Sequence, residues 1–124
     1  GSEMCIRDRD YGDWDGQPVS SISPETWAQW RSDATFTPPG GESLVSLNRR
    51  VRSACDDLKS LAERQHVAVF THVSPIKSAI SWALSCEVEI SWNLRVSQAQ
   101  ISRILLRNSQ QTLLSFNEVA HLTQ

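Results

Sequence analysis

At 124 residues, 40% hydrophobic and 21% charged, the chain has the length of about one domain and the composition of an ordinary folded protein. Its net charge of −2, with 12 scattered Lys and Arg, argues against a nucleic-acid surface or a polybasic membrane patch. No apolar stretch approaches the roughly 18 residues that cross a membrane.

The opening GSEMCIRDR shows no period of apolar residues and begins with Gly-Ser, as a tag remnant does. It also resembles translated adapter sequence. Residues 1–9 are therefore expected to be a leader foreign to the native protein, which makes 10–124 a fragment of something longer. DYGDWDGQPVSS (10–21) reads as a loop from its glycines, proline and acids. A short helix is predicted over 23–33, where Ser23 caps, Pro24 suits the first position and Glu25 favours the first turn. The prolines and glycines of ATFTPPGGES then break the chain.

A long helix is predicted from about Ser43 to Arg64, because Leu44, Leu47, Val51, Ala54, Leu58 and Leu61 recur at spacings of three and four. Arg49, Arg50 and Arg52 are read as its solvated face. VAVF (67–70) is continuously apolar and largely β-branched, the pattern of a strand covered on both faces in a parallel sheet. Ser74 and Pro75 predict a cap and first position for a helix over 75–85, and another short helix is expected at 87–94. Residues 100–107 and 111–116 read as two strands joined at Asn108-Ser109. The order of elements gives an α/β fold, three-layered around a mainly parallel sheet. Its N-terminal part is expected to be absent, because the strand at 67–71 needs parallel neighbours that the rest of the chain is not expected to supply.

Cys5, Cys55 and Cys86 form no CxxC pair, which argues against a disulfide framework and fits a reducing, cytoplasmic setting. His66, His72 and His121 lack zinc-type spacing, so no metal site is expected. His72 is the informative one. It follows the predicted parallel strand, and in open α/β sheets ligands gather at the carboxyl ends of strands, where helix amides and the helix dipole attract anions. An imidazole there can hydrogen-bond a phosphate or balance its charge, although a histidine tied to backbone at a strand end has the same sequence appearance.

RDYGDWDG, PPGGES, VAVFTHVSPIK and LLSFNEVAHL, in this order over residues 10–122, together resemble the histidine phosphatase superfamily, also called phosphoglycerate mutase-like. The resemblance implies a histidine nucleophile in an Arg-His-Gly motif that forms a phosphohistidine, with arginines and a second histidine holding the phosphoryl group and a carboxylic acid protonating the leaving oxygen. It implies no cofactor, and a small phosphorylated substrate as partner. His72 matches the second histidine, Val73 the position whose amide faces phosphate, and Ser74 adds a hydroxyl nearby.

The chain contains no Arg-His-Gly and lacks the segment carrying the second phosphate-binding arginine. The position of the acid falls on Asp8, a match that reads as accidental within the suspect leader. Such a fragment is expected to be catalytically incomplete. In the same frame Glu42 orients a catalytic arginine, while Ser43 beside it caps the long helix. Trp14 is expected to hold its loop by packing, Asp15 to hydrogen-bond within it, and Lys77 to carry a charge at or near the surface. Trp82 and Trp92 read as core or interface aromatics, His66 as exposed, and His121 as an anchor of the tail through a backbone bond. A phosphatase is favoured over a mutase, since mutases of this family usually carry longer insertions around the compact PPGGES. A non-catalytic relative that binds phosphorylated ligands or a protein is the alternative. Substrate identity and oligomeric state stay open.

Overall fold

The structure, a computed structural model, describes residues 1–122. Two strands, β1 (Ser2–Cys5) and β2 (Val67–Phe70), pair in parallel with Ser2 opposite Val67 and Cys5 opposite Phe70. Backbone bonds from Ser2 N to His66 O (2.9 Å) and from Ile6 N to Phe70 O (3.1 Å) continue the ladder at both ends. The opening stretch therefore forms a strand despite its lack of apolar period, because pairing draws on backbone groups that every residue carries. Ile6, just beyond it, packs on the core.

Helix α1 (Pro24–Ser32) starts as the sequence predicts, with Ser23 Oγ accepting from Thr26 N at 3.1 Å. Helix α2 (Leu44–Ala62) is capped in the same way by Ser43, whose Oγ accepts from Ser46 N at 3.0 Å. Its stripe buries Leu44, Leu47 and Val51 against Ala34 and Val88, while Ala54, Leu58 and Leu61 are half-buried. Helix α3 (Val73–Ala83) lies beside α2. Between them Asn48 Oδ1 accepts from Ser78 Oγ (2.7 Å) and from Arg52 Nε (3.1 Å), and Arg52 Nη2 donates to Ser81 Oγ (3.1 Å) and to the Cys86 carbonyl. Ser78 and Ser81 are fully buried, so these bonds satisfy groups that burial would otherwise penalise. Arg52 is thus a packing residue, not part of a solvated face.

The expected helix at 87–94 is a 3-10 helix, Val88–Asn93. Strands β3 (Ile101–Arg107) and β4 (Gln110–Glu118) form the expected antiparallel hairpin. Asn108 and Ser109 both take the left-handed region, with φ of 52° and 61°, as a two-residue turn between twisted strands requires. Ser109 N is tied back to Glu63 Oε1 at 2.8 Å. His121 Nε2 lies 2.8 Å from Ala99 O, the tail anchor read from the sequence. Trp82 is buried, its indole N–H donating to Asp56 Oδ1 at 2.9 Å, whereas Trp92 is exposed. No described helix is long and apolar enough to cross a membrane.

Two expectations about β2 change. It has a parallel neighbour within the chain, β1, and it is not covered on both faces: Val69 is 42% exposed and Phe70 58%. Helices α2 and α3 pack chiefly on each other, on the 3-10 helix and on the hairpin, and among the described residues the sheet containing β2 has one other strand, β1. The α/β character stands, but the parallel sheet is a pair, separate from the hairpin.

Equilibrium urea unfolding is expected to separate the two environments. Leu47→Ala, in the filled core, should cost about 2–5 kcal/mol. Val69→Ser on the open strand should stay within about 0.5 kcal/mol; a loss rivalling that of Leu47→Ala would show β2 to be covered.

Candidate functional site

Because β1 and β2 run parallel, both chains leave the sheet at one edge. Thr71 Oγ1 donates to Ile6 O at 2.8 Å there, so the segment leading to Asp8 and the one leading to His72 depart side by side. His72 is extended (φ −127°, ψ 177°) and occupies the N-cap position of α3, with its carbonyl accepting from Ile76 N at 3.1 Å. The helix therefore begins at Val73, two residues before the predicted start. Pro75 is tolerated in the first turn because its missing N–H would have had no intrahelical partner. The His72 side chain makes no capping bond. His72 and Val73 are exposed, Ser74 is half-buried, and the amides of Val73 and Ser74 open the helix at its positive end.

The rest of the edge is built by two crossing loops. Gly12 takes φ +57°, and a Cβ there would fall 2.3 Å from Pro39 O and 2.4 Å from Gly41 N. Only glycine permits that approach. Asp13 N then donates to Pro39 O (2.8 Å) and Glu42 N to Asp10 O (2.7 Å). Within the first loop the side-chain bond is made by Asp10, whose Oδ1 accepts from Gly12 N at 2.8 Å, rather than by the expected Asp15. Trp14 does hold the loop by packing, with ring centroids 5.1 Å from Trp27 and 5.6 Å from Phe36.

Glu42 does engage an arginine, and it is Arg50 of α2. Arg50 Nε donates to Glu42 Oε2 (2.8 Å) and Nη2 to Oε1 (3.0 Å). The same guanidinium reaches the carbonyls of Arg7 (2.9 Å) and Asp8 (2.7 Å), and Glu42 Oε1 also accepts from Asp10 N (3.2 Å). Burial pushes the Glu42 carboxyl up. The bonds from Arg50 and the Asp10 amide, with the charges of Arg50 and Arg7, outweigh it and hold the group below its ordinary range. A carboxylate held this way contributes stability above its unfolded pKa, lost as pH falls through the lowered folded value. Arg50 was read as solvated, yet it sits three residues beyond Leu47 and one before Val51, at the margin of the apolar stripe. That placement on the half-buried flank was the available signal.

Arg9 is buried, with Nε donating to Glu42 O (3.0 Å) and its guanidinium 5.4 Å from the Trp30 ring and 5.8 Å from the Tyr11 ring. Asp8 Oδ1 accepts from Arg9 N at 2.7 Å. An open cleft of about 330 Å³ lies between Arg7, Asp10, Thr37, Glu42 and Ser46; His72 is outside its lining. Lys77 is half-buried, and burial lowers its pKa. Of the predicted site residues, Asp8, His72, Val73 and Ser74 follow the carboxyl ends of β1 and β2, and Glu42 is joined through Arg50 to the carbonyls of Arg7 and Asp8. Among the described residues no group of three or more His, Cys, Asp or Glu is placed to hold a metal.

The profile of the histidine phosphatase superfamily (branch 1) matches residues 2–119. A bifunctional protein of Mycobacterium tuberculosis is 34% identical over 96 residues, covering 75% of this chain and 26% of that protein. Phosphoserine phosphatase 1 of Hydrogenobacter thermophilus is 26% identical over 124 residues, 97% of this chain and 59% of its own. The chain thus spans between about a quarter and three-fifths of the length of these relatives. Among solved structures, a mutant phosphoserine phosphatase from Entamoeba histolytica in complex with phosphoserine superposes with a TM-score of 0.82 at 17% identity, over 98% of this chain and 75% of that one. A mycobacterial glucosyl-3-phosphoglycerate phosphatase in complex with inorganic phosphate gives 0.77 at 23%, over 94% and 63%. With the profile running through nearly all of the chain, it belongs to the histidine phosphatase superfamily.

Proposed function

We propose that residues 10–124, with Asp8 just ahead of them, form the C-terminal, phosphate-binding portion of a phosphatase acting on a small phosphate monoester, and that the phosphoryl-accepting histidine is supplied by a preceding segment. The observation that carries this reading is His72 itself. It stands exposed at the carboxyl end of a parallel strand, its side chain makes no capping bond, and it is followed directly by the open amides of α3. Backbone satisfaction, the rival explanation of a histidine at a strand end, leaves the imidazole without a task here.

In this reading His72 donates to a phosphoryl oxygen, and in its protonated form balances the charge that builds during transfer. The Val73 amide donates from the helix terminus, and the Ser74 hydroxyl lies one residue further. Asp8, three residues beyond the exit of the neighbouring strand, is the candidate proton donor to the leaving oxygen. The nucleophile, with the arginine of its own motif, has no counterpart among His66, His72 and His121, which follow Gln65, Thr71 and Ala120. The phosphoserine and inorganic phosphate held by the two superposed phosphatases support a phosphorylated small molecule as the substrate class.

Titration of the chain with inorganic phosphate, followed by the imidazole resonances of His72, tests the reading. Saturable shifts with a Kd near the millimolar range, ~4 kcal/mol of binding, are expected, and His72→Ala should weaken the response of the Val73 and Ser74 amides at least about tenfold. Unmoved His72 resonances would overturn it. Phosphate release from a generic aryl phosphate should be undetectable with the 124-residue chain and appear when upstream coding sequence carrying Arg-His-Gly is joined to it. His72→Ala should then lower turnover by about 10²–10³-fold, the usual cost of one donor to a developing charge. Phosphate binding without turnover in the joined protein would favour a non-catalytic binder.

A further inference from the structure

The Glu42–Arg50 pair does more than close a salt bridge. The Arg50 guanidinium divides its donors between one carboxylate and two backbone carbonyls, those of Arg7 and Asp8. Glu42 divides its acceptors between Arg50 and the Asp10 amide, while its own N–H donates to Asp10 O. The side chains of the pair thus bond residues 7–10 through main-chain groups, while the Arg9 side chain adds a bond of its own to the Glu42 carbonyl. The two side chains are largely shielded, with exposures of 21% for Arg50 and 10% for Glu42, so water competes weakly for these bonds. A guanidinium can make this set because its N–H groups diverge in a plane, whereas an ammonium cannot reach the same acceptors in the same geometry.

We propose that Arg50 and Glu42 are positioning residues of the site. Together with the buried Arg9 side chain, they seat the backbone of residues 7–10 at the sheet edge, so that a carboxylate at position 8 is presented on the edge that carries His72. This rests on the reading of that edge as a phosphate site. It also accounts for why a segment with no apolar pattern is nonetheless held in place: Arg50 and Glu42 bond its carbonyls and an amide, and the one side chain that joins in, Arg9, does so by its charge.

Amide hydrogen exchange on the chain, in parallel with the phosphate titration, tests the role. In Arg50→Lys the amides of Asp10 and Glu42 should exchange at least about tenfold faster, while Val51 in the core of α2 keeps its protection. Glu42→Gln, which leaves Arg50 its two carbonyl partners, should release Asp10 with less effect on Ile6. With phosphate added, the amides of residues 8–10 should respond together with Val73 and Ser74 in the wild type. In Arg50→Lys the response should vanish at 8–10 and persist at 73–74, a decoupling that a merely structural role would not produce. Unchanged exchange at Asp10 in both variants would overturn the proposal. So would equal loss of protection at Asp10 and Val51, which would make the pair a support of the whole fold. If the wild type shows no phosphate response at His72, Val73 or Ser74, the phosphate reading fails and takes the positioning role with it, while faster exchange in the variants would still show the clamp itself.

Discussion

The carboxyl edge of this molecule depends on one steric fact: two loops pass each other with no room for a side chain between them. Gly12 lies against Pro39 and Gly41 so closely that a single methyl group would overlap backbone atoms. That contact brings Asp10 and Glu42 within mutual hydrogen-bonding reach. With Glu42 placed there, Arg50 finds a partner two turns into α2 and can extend to the carbonyls of Arg7 and Asp8. These residues follow β1, which lies beside β2, and Thr71, just ahead of His72, is bonded to the exit of β1 at Ile6. Remote parts of the sequence are brought to one edge by backbone proximity rather than by a large hydrophobic surface.

Much of the fold was legible because its signals are local. The spacing of Leu44, Leu47 and Val51 and the serines before α1 and α2 determine their helices within a few residues, and the caps form as expected. Asn108 and Ser109 tolerate the left-handed backbone their turn needs, so the hairpin could be read from the chain. What escaped reading was relational. β1 carries no pattern of its own and exists through its pairing with β2. The covering expected over β2 was a property of neighbours, which the apolar run VAVF does not encode. The start of α3 was misplaced because Ser74-Pro75 makes a good first turn by composition, yet the strand ends early enough for the His72 carbonyl to begin the helix.

The site divides in the same way. His72 was visible as a histidine between an apolar run and a helix start, and Glu42 as an acid ahead of a capped helix. Arg50 and Arg52 were not, because a charged residue in a helix ordinarily faces water. Each instead uses a long side chain to cross apolar surface and deliver its charge to backbone and buried polar groups. Arg52 secures the seam between α2 and α3 through Asn48 and Ser81, and Arg50 secures the edge. Arginines adjacent to an apolar stripe thus hold two polar junctions among the described residues, the α2–α3 seam and the sheet edge.

The open flank of β2 has a consequence for how the chain behaves in company. Val69 and Phe70 project from a short strand that has one hydrogen-bonded partner among the described residues, so apolar side chains and strand backbone are offered at the same place. Such a flank is adhesive: it can be capped by any extended segment that brings matching backbone groups, including the same strand of a neighbouring molecule. Its flatness is limited by four residues of length and by the exposed charge of Glu3 on β1, which disfavours stacking in long arrays. Expression yield and colloidal behaviour of the chain should therefore be governed by this strand more than by the stability of its helical core.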